Sequence, residues 1–139
     1  MSSELRVNIL RGSTANGNIT IQGEGTSNLG GATMQLQQGL SKAWANINGT
    51  AATPVYRDSF NCSSLTDNTG GVYAPQLTNV MSNGDFCQVA SAHHNGVSYS
   101  ASPYTGAKTT NQMGLSCGKL NGSPADAQTI DTSAHGDLA

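Results

Sequence analysis

Charge is the first thing this chain lacks. Only 10% of its 139 residues are Asp, Glu, Lys or Arg, and the formal net charge is -2. Globular domains usually carry about a quarter charged residues. Neutralising phosphates takes clustered Lys and Arg, so this balance argues against a nucleic-acid partner. Aromatic residues are scarce too, at 5%, with a single tryptophan at Trp44. No apolar run is long enough to span a membrane, so no membrane insertion is expected. The start "MSSELRVNIL" carries two charges and no apolar stretch of signal-peptide type, which predicts synthesis in a cytoplasm. The three cysteines, Cys62, Cys87 and Cys117, form no C-x-x-C and have no histidine at zinc-site spacing. They are expected as free thiols, with one intramolecular disulfide as the alternative and no metal bound. The glycines of "GEGTSNLGG" lack the Lys-Ser/Thr of a phosphate loop, and no cofactor is expected.

Hydroxyl and amide residues fill the space that charge leaves. The chain holds 17 Gly, 16 Ser, 14 Thr and 13 Asn. Such a composition suits many short strands joined by tight turns, since Asn and Gly tolerate the left-handed backbone that turns need. The apolar fraction of 36% promises only a small core. Ordering a residue costs on the order of 1–2 kcal/mol. A thin core therefore predicts a homo-oligomer that shares buried surface between copies.

Periodicity divides the chain into three parts. Residues 1–33 are expected as an N-terminal attachment or stalk segment. In it Leu5, Val7 and Ile9 alternate, a turn follows at Asn16-Gly17, and Ile19 and Ile21 share a face, which together predict a hairpin. Residues 34–52 are expected as a junction. Met34, Leu36, Leu40, Ala43, Trp44 and Ile47 fall mostly at helical spacing, yet "KAWANING" also alternates with Ala43, Ala45 and Ile47 on one face. A short helix or turn followed by a strand from Lys42 reconciles the two patterns. Residues 53–139 read as a C-terminal β domain with turn signals about every 10 residues, the pattern of a β-sandwich or jelly roll. Pro75 assigns its strand to a sheet edge, and "AQTIDTSAHGDLA" reads as a weak last strand or a tail. The fold class is mainly β.

No catalytic constellation emerges. Asp58, Asp67, Asp85 and Glu24 follow no glycosidase-like spacing. The pair His93-His94 would point to opposite faces of a strand, which suits a loop tip better than a metal. His135 and Asp137 lack a matching nucleophile. The sequons at Asn18, Asn48, Asn61 and Asn121 follow from composition. The candidate binding surface consists of His93, His94, Asn95, Tyr99 and Tyr104, because aromatics with amides in loops make adaptable contacts and also hold sugars. Leu36, Leu40, Trp44 and Ile47 are expected as an apolar plug at the junction and in the oligomer core.

Four stretches carry a resemblance: "MSSELRVN", "RGSTANGNITIQGEGT", "LQQGLSKAWANINGT" and "RDSFNCSSLTDNTGGVY". They resemble small structural appendage proteins, tail fibres and fibre-like proteins, of marine tailed phages, especially those that infect cyanobacteria. The likeness covers most of residues 1–90 and is diffuse beyond them. It implies a non-enzymatic, β-rich, trimeric component of the virion. Its N-terminal segment would attach to other virion proteins, and its C-terminal β domain would point outward; a host-surface glycan is the partner expected for the tyrosine- and amide-bearing loops. The modest length favours a short fibre or a capsid decoration over a long fibre.

Overall fold

The computed structural model describes residues 20–22, 33–35, 39–97 and 99–139. They fall into two units, Met1–Leu40 and Ser41–Ala139. In the first, β1 (Thr20–Gln22) pairs antiparallel with β2 (Thr33–Gln35), with Ile21 opposite Met34. Ile21 thus has a partner on its C-terminal side, at Met34. The strand expected at Leu5–Ile9 lies outside the described residues, as do Ile19 and Leu36.

The second unit is a sandwich of two antiparallel four-stranded sheets. Its strands are β3 (Ala43–Asn48), β4 (Val55–Phe60), β5 (Cys62–Thr69), β6 (Val72–Leu77), β7 (Cys87–His93), β8 (Tyr99–Pro103), β9 (Leu115–Lys119) and β10 (Thr129–His135). Sheet I runs β4-β3-β10-β7, and sheet II runs β5-β6-β9-β8. The mainly β expectation holds, and so does the strand from Lys42 onward. The helical spacing around Trp44 loses because Ala43, Ala45 and Ile47 fit a two-residue period and bury one face of β3. That strand belongs to the sandwich, which starts at Ser41 and not at residue 53.

Both sheets supply the core. Ala45 and Ile47 of β3 and Ile130 of β10 pack with Tyr73 of β6 and with Leu115 and Cys117 of β9. A second cluster joins Ala43, Leu77, Met81, Phe86, Met113 and Ala134. The inward residues of β3 and β10 include Ala43, Ala45, Thr132 and Ala134, with Ile47 and Ile130 as the larger ones. Side-chain hydrogen bonds also cross between the two sheets, among them Tyr56 OH donating to Ser64 O at 2.6 Å. The buried Gln88 of β7 donates from Nε2 to the carbonyl of Gly114 and to Thr132 Oγ1, each at 3.1 Å.

Two strands occupy other places than the sequence suggests. β10, which reads as a weak last strand or tail, is a central strand of sheet I, paired with β3 on one side and β7 on the other. β6 is an interior strand despite Pro75. The β6–β9 ladder covers only Val72↔Ser116 and Tyr73↔Leu115. Pro75, which has no N–H to donate, interrupts the pairing, but the same register resumes at the Gln76↔Gln112 bridge, with Met113 N donating to Pro75 O at 2.9 Å and Leu77 N to Asn111 O at 2.8 Å. The turn between β5 and β6 falls at Gly70-Gly71. Gly71 there has φ +77°, and a Cβ on it would sit 2.3 Å from the carbonyl oxygen of Cys117.

Candidate functional site

The outer face of sheet I is built by alternation. Where Ala43, Ala45 and Ile47 point inward, Trp44 and Asn46 point outward. Ile130, Thr132 and Ala134 of β10 are buried, which turns Asp131 and Ser133 out. On β7, Gln88 is buried and Cys87, Val89 and Ser91 face solvent. The register then aligns these residues across the sheet. Ser133 lies between Trp44 and Val89, and Trp44 lies opposite Phe60. Two residues further along, Asp131 lies between Asn46 and Ser91, and Asn46 lies opposite Asp58.

Two rows of different chemistry result. Phe60, Trp44 and Val89 make an apolar row interrupted by Ser133, and they are 54%, 37% and 57% exposed. Asp58, Asn46, Asp131 and Ser91 make a polar row rich in hydrogen-bond acceptors. The short side chains of β10 form the floor of an open trough of about 380 Å³, walled by Trp44 and Asn46 on one side and by Val89 and Ser91 on the other. Small-molecule sites span roughly 300–1,000 Å³.

Asn46 Nδ2 donates to Asp131 Oδ1 and so fixes the carboxylate. The other end of the amide is held too, because Arg57 NH1 reaches Asn46 Oδ1 at 3.5 Å. Arg57 stands where the β3–β4 register shifts, between Asn46 and Ile47. From this bulge its guanidinium crosses β3 and donates to Gln128 O at 2.7 Å, Ile47 O at 3.2 Å and Thr129 Oγ1 at 3.3 Å. A planar fork with five donors suits this three-strand clasp. The trough therefore has a preset polar edge.

Four of the five residues expected as a binding surface come together at the β7–β8 connection, which passes from sheet I to sheet II. Asn95 (φ +36°) and Gly96 (φ +71°) make its turn, closed by Val97 N donating to His94 O at 2.7 Å. The rings of His94 and Tyr99 stack with centroids 5.1 Å apart. His93, Val97, Tyr99 and Leu120 help line a shallow depression of about 400 Å³. Tyr104 stands apart, beyond the far end of β8, with its ring over Gly106.

The plug residues do not form one cluster. Ile47 is fully buried, Trp44 lies on the opposite face of the same strand, and Leu40 is 53% exposed. The sequence places Trp44 in an apolar plug and not at a binding site, and it does not single out the neighbours Asn46, Asp131, Ser133, Val89 and Ser91. Their signal is the two-residue alternation in "TIDTSAH" and "CQVASAH", which becomes a site only once β10 is placed between β3 and β7.

All three cysteines are free. Burial pushes the thiols of Cys62 and Cys117 up to about 11, whereas Cys87 is exposed. Among the described residues no group of three or more His, Cys, Asp or Glu side chains could hold a metal ion, and no helix is long and apolar enough to cross a membrane. No protein-family model, no curated protein and no solved structure matches the chain.

Proposed function

We propose that this chain is a non-enzymatic structural component of a tailed-phage virion, a short fibre-like appendage. Its N-terminal segment joins other virion proteins, and its sandwich is displayed outward on a homotrimer. The resemblance of residues 1–90 to cyanophage appendage proteins supports the reading. The observation that carries the outward display is the open face of sheet I, where Trp44, Phe60 and Val89 stay exposed on a domain with few large core residues. Exposed apolar rows rimmed by polar residues mark interaction surfaces. A thin core also favours assembly, since association adds burial that the single chain lacks.

Antibodies against the full chain test this reading. Immunogold labelling should decorate intact tailed particles purified from a lysate that contains the chain, on the tail for a fibre and on the head for a decoration protein. Multi-angle light scattering should give three times 14.2 kDa. A chain that stays wholly in the soluble fraction, apart from the particles, overturns the virion role, and a monomer overturns the trimer. The trough beside Trp44 favours one second reading, a carbohydrate-binding adhesive module without a virion, which the same labelling separates from the first.

A further inference from the structure

We infer that the trough of sheet I is a binding site for an uncharged glycan, with Trp44 as the stacking platform and Asp131, held by Asn46, as the principal acceptor. The inference deepens the proposed role and rests on the sandwich being displayed outward. The ligand class follows from three features of the trough.

The first feature is spacing. The apolar row and the polar row stand two residues apart along the strands, about 7 Å. A pyranose ring matches that layout, since it presents a flat C–H face for the indole and a rim of hydroxyls for the neighbouring row. The second feature is the imbalance of donors and acceptors. Asp58 and Asp131 are carboxylates, and a carboxylate only accepts. Arg57, the cation beside them, already directs its guanidinium at Ile47 O, Gln128 O and Thr129 Oγ1. The row therefore calls for a ligand that brings hydroxyl or amide donors and no negative charge. Sulfated and uronic-acid glycans would bring anions toward Asp58 and Asp131. The third feature excludes a second copy in face-to-face packing. Such a copy would set the same two carboxylates against their counterparts and take them out of water, which is costly without a partner cation. Volume agrees, because a trough of about 380 Å³, open along β10, accepts a short stretch of chain without a terminal pocket.

Trp44 is the chain's only tryptophan, so its fluorescence reads this site alone. The full chain should show a saturable change of Trp44 emission with neutral probes, namely cellobiose, lactose, N,N′-diacetylchitobiose and their longer oligomers. Heparin fragments and oligogalacturonate should give none. Isothermal titration then compares variants that keep the sandwich, as judged by circular dichroism. Trp44→Ala should abolish binding. Asp131→Asn, which keeps shape and removes charge, should weaken it about tenfold, the size of one charge-assisted hydrogen bond. Val80→Ala, at an exposed residue outside the trough, should leave it unchanged.

Silence of Trp44 toward every neutral probe overturns the inference. So does tighter binding of the anionic glycans or of a lysine-rich peptide, or a Trp44→Ala variant that binds as the parent does. A change of oligomeric state in Trp44→Ala without loss of sugar binding assigns the face to contacts between copies, and overturns it too. Particles that label with antibody while the chain ignores all glycans would sink this inference alone and leave the virion role standing.

Discussion

Asp126 does at one residue what most of the core does by packing. Its Oδ1 accepts from Tyr73 OH at 2.6 Å and from Gly71 N at 2.7 Å, tying the β9–β10 connection to the start of β6. Tyr73 is fully buried, and burial, followed by the bond to Asp126, pushes its hydroxyl well above the usual phenol range. It therefore stays a donor. Tyr73→Phe should cost about 1–3 kcal/mol, because the carboxylate loses a partner; urea unfolding measures it. The thiols give a second test at this scale. Native protein at pH 7.5 should take up one maleimide, at Cys87, and three after denaturation, since only exposed thiolate reacts readily. Peptide mass mapping that finds native Cys62 or Cys117 labelled would contradict it. Free cysteines were legible in their spacing. The special place of Tyr73 was not, because a lone tyrosine in an alternating strand looks the same whether a carboxylate 53 residues away meets it or not.

Strands were easier to locate than to order. Alternation in "KAWANING" was visible, and it became a strand with Ala43, Ala45 and Ile47 inward. β10 was undervalued because its inward set, Ile130, Thr132 and Ala134, is small and partly polar, so the apolar signal is low exactly where two neighbours cover it. Pro75 misled for another reason: it removes a single ladder donor, and bonds on both sides of that gap still hold β6 to its neighbour. Trp44 was found and turned to the wrong side, since large apolar residues usually go inward, while here alanines take that place. Arg57 carries the prediction at this scale. Arg57→Ala should loosen β4, β3 and β10 together and destabilise by about 1–3 kcal/mol, given bonds that involve a charged donor. Arg57→Lys should recover little, because an ammonium cannot serve three acceptors through a planar fork. Equal stability of the arginine, lysine and alanine forms would show that the clasp contributes nothing.

The molecule as a whole should be sensitive to alkali. Cys62 and Cys117 are raised from 9.0 to about 11 by burial, and Tyr56 and Tyr73 are raised above the ordinary phenol value for the same main reason. Below pH 9 the thiols are protonated whether the chain is folded or not, and they contribute no pH dependence. Between about pH 9 and 11 the unfolded thiols release protons that the folded ones keep. The unfolded chain then holds fewer protons, so stability falls as pH rises through this window. A urea midpoint that stays constant from pH 9 to 11 would refute it. The pairing of β3 with β10 has a further consequence, in time. Asn48 leaves the ribosome 81 residues ahead of Thr129. At roughly 5–20 residues per second, β3 waits on the order of 4–16 s for the strand that covers its second edge. During that interval β4 shields only the other edge. The nascent chain thus spends seconds with an unsatisfied strand border beside Trp44, and crowding of many such chains on one message is the moment when wrong pairing between copies is most probable.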